Sequence, residues 1–176
     1  MRYGSPWMPW MHGGSQERRR RGGTLNVPGI VGLAKALELV MEERDHHLEH
    51  FRGLRERLIG GVSERYNGQV TFNCDPEHGV PHIINMGFSD GNGGGLDGEM
   101  LLLNLDMEGI CVSNGSACTS GAVEPSHVLS GIGLDEAIAN ASIRISLGKD
   151  NTEEDVDYFL ESLESDGPHD GHRRLN

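Results

Sequence analysis

Apolar residues recur at helical spacing along the first third of the chain. From residue 26 onward they fall three or four positions apart, with one interval of eight. The members of this series are Ile30, Leu33, Leu37, Val40, Leu48, Phe51, Leu54 and Leu58. The spacing predicts one long helix, or two helices joined near Asp45. Asn26 is a suitable N-cap with Pro28 in the first turn, and Gly60 with Gly61 is the expected stop.

Shorter apolar runs follow, and three of them have the composition of strands. They are residues 69–73 ("QVTFN"), 80–88 ("VPHIINMGF") and 142–148 ("SIRISLG"). In the last run the isoleucines share one face and Arg144 lies on the other. A further short strand, "ICVS", is expected at 110–113.

Helices are expected between and after these strands, over residues 98–109, 124–133, 134–141 and 151–163. The order of elements predicts an α/β fold in which helices cover a small sheet.

The same pattern divides the chain into three regions. Residues 1–25 have no periodicity and form an amino-terminal arm, which on composition alone is a flexible segment. Residues 26–164 form the α/β domain with its long helix. Residues 165–176 are polar, and we expect them to be disordered.

Charge excludes one class of function. The net charge is −12, and only two of the 15 basic residues are lysines. Phosphate contacts need clustered basic residues, so a general nucleic-acid binder is not expected. An acidic, lysine-poor composition suits a halophilic cytoplasm. Nothing approaches the run of about 20 apolar residues that a membrane helix needs.

The three cysteines differ in their surroundings. There is no CxxC pair and no signal peptide, which favours a reducing cytoplasm. Cys118 lies in "SNGSACTSG", among small and polar residues that suit a reactive thiol on a loop. Cys111 lies between Ile110 and Val112, and we expect it, like Cys74, to be a small buried side chain.

Two other features have a structural and a functional interpretation. Arg144 in mid-strand is either paired with an acid or holds a substrate carboxylate through two hydrogen bonds. His46 and His50 have the i, i+4 spacing of metal ligands, but no third ligand is evident. We therefore expect ordinary surface histidines.

Three motifs, taken together, resemble a known family. "SNGSACTSGAVEPSHVL" and "SIRISLGKDNTEEDVD" are similar to the carboxy-terminal part of the cysteine desulfurases that serve iron–sulfur cluster assembly. These are pyridoxal-phosphate enzymes of the class V aminotransferase group. The upstream "HGGSQERRRRGGTLNVP" matches the family's H-G-G-x-Q-E-R, G-T and N-V-P in order and spacing.

The resemblance implies a fold and a set of roles. The fold would be the small domain of a fold-type-I pyridoxal-phosphate transferase, with the arm as an ordered dimer element. Cys118 would attack the sulfur of L-cysteine, become a persulfide and release alanine. It would then pass sulfur to an acceptor or an iron–sulfur scaffold, with a transient iron–sulfur contact. Arg144 would hold the substrate carboxylate, and Thr24 would contact the cofactor phosphate across a homodimer.

One part of the family pattern is missing from these 176 residues. The family's cofactor lysine follows a histidine, and neither Lys35 nor Lys149 has that context. We therefore expect the isolated chain to be inactive without a complementing, lysine-bearing half. Two alternatives remain: a sulfur carrier or binding module without enzymatic activity, and an inactive gene remnant.

Overall fold

A computed structural model describes residues 8–75, 78–114 and 125–166. The chain divides into two units, Met1–Arg44 and Asp45–Asn176, and each is described by itself. Cys118, on which much of the sequence analysis depends, lies outside the described residues.

In the first unit, two glycine motifs are packed against each other. The backbone N–H of Gly22 donates to the carbonyl of Met11 (2.9 Å). A Cβ atom on Gly22 would lie 2.8 Å from the backbone nitrogen of Gly13. Only glycine permits this approach, so "HGG" and "RGGT" are held together by their lack of side chains. Between them, α1 (Gln16–Arg19) is a single turn with left-handed backbone angles.

The long helix α2 (Val27–Tyr66) is one continuous helix of 40 residues. The side chain of Asn26 accepts a hydrogen bond from the N–H of Gly29 (3.1 Å), which confirms the predicted cap. The predicted stop at Gly60 and Gly61 is wrong. A Cβ atom on Gly61 would lie 2.4 Å from Leu160, so this glycine admits a neighbouring helix rather than ending its own.

The second unit contains an antiparallel sheet in the order β1-β2-β3. Its strands are β1 (Val70–Phe72), β2 (Ile83–Phe88) and β3 (Ser142–Ser146). Four helices accompany it: α3 (Gly98–Met107), α4 (His127–Gly131), α5 (Glu136–Asn140) and α6 (Glu153–Asp166). The strands and helices predicted from the apolar pattern are therefore present, apart from the strand at 110–113.

The hydrophobic core lies on one face of this sheet. Ile84 and Met86 of β2 pair with Ile145 and Ile143 of β3, and all four are buried. Buried residues of α2, α3 and α6 complete the cluster: Leu54, Leu58, Val62, Tyr66, Leu101, Leu105, Val156, Phe159, Leu160 and Leu163. Burying each large side chain contributes about 1.5–3 kcal/mol, so the core fixes which face of the sheet remains polar.

Local caps fix where the helices begin. Asp97 accepts hydrogen bonds from the first-turn N–H groups of α3, at 3.1 Å each. Thr152 and Asp155 cap α6 reciprocally, because each side chain accepts from the other's backbone N–H. The hydrogen bond from the Thr152 N–H is the main reason that the pKa of Asp155 lies below its usual value. α6 extends to Asp166, slightly beyond the predicted start of the tail.

Residues 110–112 do not form the expected strand. Gly109 has a φ of +76°, and the N–H of Ile110 bonds back to the carbonyl of Leu105 (2.8 Å). After this helix-ending turn, Ile110 and Val112 pack against the core, and the chain pairs with β3 at Ser113 through an isolated bridge to Arg144. Within the described ranges, no helix is both long and apolar enough to cross a membrane.

Candidate substrate-binding site beside Arg144

Arg144 lies on the polar face of β3. Its neighbours Ile143 and Ile145 point into the core, whereas Arg144 itself is exposed. Within the described residues, no carboxylate forms an ion pair with it. The structural interpretation of Arg144 requires a carboxylate partner, and the described residues supply none. An exposed guanidinium of this kind can bind a carboxylate by donating two parallel hydrogen bonds to it.

Ser113, five residues before Cys118 in the sequence, is hydrogen-bonded to Arg144. The N–H of Ser113 donates to the carbonyl of Arg144 (3.1 Å), and the Arg144 N–H donates to the Ser113 carbonyl in return.

A polar network occupies the same sheet face. Asn85 of β2 lies directly opposite Arg144. The Nδ2 of Asn73 donates to the Oδ1 of Asn85 (2.8 Å) and lies 3.5 Å from the Oγ of Ser142. Ser142 is fully buried and donates to the carbonyl of Ile138 in α5 (2.7 Å). The network joins all three strands to α5 and orients Asn85 beside Arg144.

This network was missed by the sequence analysis. Asn85 lies 59 positions from Arg144 along the chain, and only the sheet register places the two residues opposite each other. The alternation of the "SIRISLG" strand predicted the polar face. It carried no information about which residue of β2 would share that face.

The predicted environment of the other cysteines is wrong for one of them. Cys111 is exposed, whereas Ile110 and Val112 on either side of it pack against the core. Cys74 is half-buried, and its sulfur accepts a hydrogen bond from Nη2 of Arg55 (3.1 Å). Arg55 is buried and also donates to the carbonyls of Ile83 and Asp75. The exposure of Cys111 therefore leaves its thiol accessible to reagents.

Thr24 belongs to the first unit, where it is exposed. Its carbonyl accepts a hydrogen bond from Nη1 of Arg21 (2.6 Å), and Arg21 also donates to the carbonyl of Gly23. A cavity of about 190 Å³ lies nearby in the arm. Its lining includes His12, Gly13 and Gly22 of the two glycine motifs. The backbone around Thr24 is thus held by an arginine of its own segment.

Neither lysine fits the covalent attachment of pyridoxal phosphate. Lys35 lies exposed on α2 and pairs with Glu38 (3.0 Å). Lys149 is exposed in the turn after β3. Neither lines the arm cavity, nor the cavity of about 310 Å³ between β3, α2 and α6. These two lysines therefore do not fit the lysine-linked group.

The histidines of α2 are engaged in packing. Nε2 of His50 lies 2.9 Å from the carbonyl of Asn151, and His46 contacts His47. Phe51, one turn along, contacts His82. Across the described residues, no group of three or more His, Cys, Asp or Glu side chains is arranged to hold a metal ion.

Comparisons with known proteins agree with this fold. Residues 9–159 match the family model of the class-V aminotransferases. The chain therefore belongs to the class-V aminotransferase family.

Within that family, the chain is similar to proteins named cysteine desulfurase IscS. It is 48% identical over 155 residues to the one from Clostridium botulinum (strain Hall), covering 87% of this chain and 38% of that protein. It is 43% identical over 164 residues to the one from Dictyoglomus turgidum, covering 93% and 40%. The chain thus spans about two fifths of the length of these relatives.

Solved structures support the same fold. A structure titled "NIFS-LIKE PROTEIN" superposes with a TM-score of 0.77 at 39% identity, over 94% of this chain and 40% of that one. The fold is that of the NifS-like transferases, represented here by a small antiparallel sheet with its helices.

Proposed function

We propose that this chain forms the sulfur-accepting part of a cysteine desulfurase. Cys118 takes the sulfur of L-cysteine as a persulfide, and Arg144 holds the substrate carboxylate. The persulfide sulfur then passes to an acceptor, such as a scaffold for iron–sulfur clusters. The observation that supports the proposal is the bridge between Ser113 and Arg144. It lies five residues before Cys118, beside an exposed guanidinium with which no carboxylate of the described residues forms an ion pair.

The atoms of the proposed reaction balance without an external oxidant. The Cys118 thiolate forms a new bond to the sulfur of L-cysteine, and the bond between that sulfur and its carbon breaks. The electron pair of the broken bond stays with carbon, which takes up a proton and becomes the methyl group of alanine. The products are alanine and the Cys118 persulfide.

The cofactor lysine of this reaction comes, in our proposal, from a polypeptide segment outside these 176 residues. The two lysines present are exposed and unsuited, and the relatives are more than twice as long as this chain. When bound, pyridoxal phosphate would supply the electron sink that makes the carbon–sulfur bond breakable. Thr24 is the residue of this chain that we propose for its phosphate, in the partner of a dimer.

The first half of α2 offers a surface on which such a segment can dock. Seven large apolar side chains of this half, which lie within the first unit, are more than half exposed. They are Val27, Ile30, Val31, Leu33, Leu37, Val40 and Met41. An apolar surface of this kind marks a binding site for another protein surface. We propose the lysine-bearing segment as its occupant, because most of the relatives' length lies outside the matched region.

Co-expression with a truncated relative tests the proposal. The partner is the part of the Clostridium botulinum protein outside the matched segment, which should supply the lysine. We expect the two chains to co-purify and to form alanine from L-cysteine, and Cys118→Ser should abolish alanine formation. After borohydride treatment, the cofactor should be found on the partner's lysine rather than on Lys35 or Lys149.

Two variants on α2 test the docking surface. Leu37→Asp should prevent co-purification. Leu39→Asp, two positions further and roughly 200° around the helix, is the matched control and should leave the complex intact. Co-purification without alanine formation would contradict the enzymatic proposal and favour the sulfur-carrier alternative. Failure of both chains to associate, with α2 unaltered, would contradict the docking proposal.

A further inference from the structure

We infer that Asn85 is a second residue for substrate recognition, whose side-chain amide donates a hydrogen bond to the carboxylate held by Arg144. The inference rests on the proposed function and adds a residue to its site. It follows from three observations: the pairing of Asn85 with Arg144, the orientation of the Asn85 amide, and the complementary chemistry of the two side chains.

The register brings the two side chains close together. The N–H and C=O groups of Arg144 both bond to Ser113, on the edge of β3 that faces away from β2. The carbonyl of Asn85 likewise bonds to Asn73, away from β3. Asn85 and Arg144 are therefore a non-hydrogen-bonded antiparallel pair, in which the Cα atoms lie about 4.5 Å apart and the side chains share one face.

The amide of Asn85 is oriented by its neighbour. Its Oδ1 accepts a hydrogen bond from Nδ2 of Asn73 (2.8 Å), and Asn73 is in turn linked to the buried Ser142. With the oxygen engaged, the nitrogen of the Asn85 amide is left as the donor on the sheet's polar face. Among the described residues, no acceptor takes a hydrogen bond from this nitrogen.

The pair is suited to a carboxylate in particular. A guanidinium offers only donors, and the Asn85 amide, whose oxygen accepts from Asn73, offers its N–H donors; a carboxylate has about four acceptor positions to receive them. The amide adds a donor without adding a second positive charge, so the site can discriminate by geometry as well as by charge. The ligand class is therefore the α-carboxylate of a small amino acid, such as L-cysteine or the product alanine.

A titration followed by NMR tests this directly on the 176-residue chain. The ¹⁵N-labelled protein is titrated with L-alanine, and in parallel with L-alaninamide, which lacks the carboxylate. We expect the side-chain N–H signals of both Asn85 and Arg144 to shift together with L-alanine, and neither to shift with L-alaninamide. This readout needs no cofactor, no partner and no activity.

Two variants complete the test. Asn85→Asp keeps the oxygen that Asn73 bonds but replaces the donor with a negative oxygen, and should weaken L-alanine binding at Arg144 about tenfold or more. Asn92→Asp, an exposed asparagine in the loop after β2, adds the same charge elsewhere and should change nothing. If Asn85→Asp loses the fold, the shift of the Asn85 amide in the unaltered protein still decides the matter.

The outcomes separate the inference from the proposed function. If L-alanine shifts Arg144 but leaves the Asn85 amide unmoved, the inference is wrong and the carboxylate site stands. The same holds if Asn85→Asp binds L-alanine as tightly as the unaltered chain. If L-alanine does not shift Arg144 at all, the carboxylate assignment fails, and the role of Asn85 fails with it.

Discussion

Replacing Arg144 separates a binding role from a structural one. The Arg144→Ala variant loses an exposed side chain that makes no ion pair within the described residues. Its backbone bonds to Ser113 and the buried isoleucines on either side remain. We therefore expect the free energy of unfolding to change by no more than about 0.5 kcal/mol.

Binding should respond much more strongly than stability. A charge-assisted hydrogen bond contributes about 1.5–3 kcal/mol, so the affinity for L-alanine should fall roughly ten- to a hundredfold. Arg144→Lys should recover only part of this loss, because an ammonium group cannot form two parallel hydrogen bonds. Arg52→Ala, an exposed arginine on α2, is the control for loss of one positive charge.

Urea denaturation and the L-alanine titration measure the two quantities on the same variants. A loss of roughly 3–5 kcal/mol in Arg144→Ala would show that the guanidinium is half of a buried ion pair and not a group available to the substrate. Unchanged affinity for L-alanine would show that the carboxylate is bound elsewhere.

Three further predictions concern the packing and the thiols. Tyr66→Phe removes the buried hydrogen bond that the tyrosine hydroxyl donates to the carbonyl of Leu163 (2.7 Å). Urea denaturation should show a free energy of unfolding lower by about 1–2 kcal/mol. The control Tyr158→Phe, at an exposed tyrosine, should leave the free energy of unfolding nearly unchanged. Arg57 donates two hydrogen bonds to Asp157 and so holds the pKa of that carboxyl below its usual value. The stability that this contact contributes is present above the ordinary carboxyl pKa and is lost as the pH falls through the lowered pKa of Asp157. Arg57→Ala should therefore lower the melting temperature at neutral pH, and in acid the variant and the unaltered chain should melt at similar temperatures. Limiting iodoacetamide should label Cys118 before the other two cysteines, as mapped by mass spectrometry, and faster labelling of either would count against its role.

Local features of the fold could be predicted from the sequence. The apolar spacing located the helices and strands, and the caps at Asn26, Asp97 and Thr152 lie where short-range chemistry puts them. Such features depend on residues within one turn of each other, and the sequence displays them directly. The face of β3 that carries Arg144 follows from the same short-range alternation.

Features set by distant contacts could not be predicted in this way. The exposure of Cys111 depends on which side of residues 110–112 packs against the core, and Ile110 and Val112 occupy that side. The place of Asn85 depends on the register of two strands far apart in sequence. The same limit applies to Gly61, where a glycine that reads as a helix stop instead admits Leu160 from another helix.

The apolar series of α2 shows a further limit of what residue spacing can predict. Its second half, with Leu54 and Leu58, is buried in the core, whereas Leu33 and Leu37 in its first half are exposed. Both halves have the same spacing of apolar residues. Spacing reports only which residues share a face of the helix. It does not report what covers that face.

The destination of the sulfur atom shows whether Cys118 is the sulfur acceptor. The chain, co-expressed with the lysine-bearing segment of a relative, is incubated with L-cysteine that carries a heavy sulfur isotope. The thiols are then alkylated, and each cysteine peptide is examined by mass spectrometry. The account predicts one added heavy sulfur on Cys118 and none on Cys74 or Cys111. Alanine formation with the heavy sulfur on either of those two cysteines, or on none of the three, would contradict it.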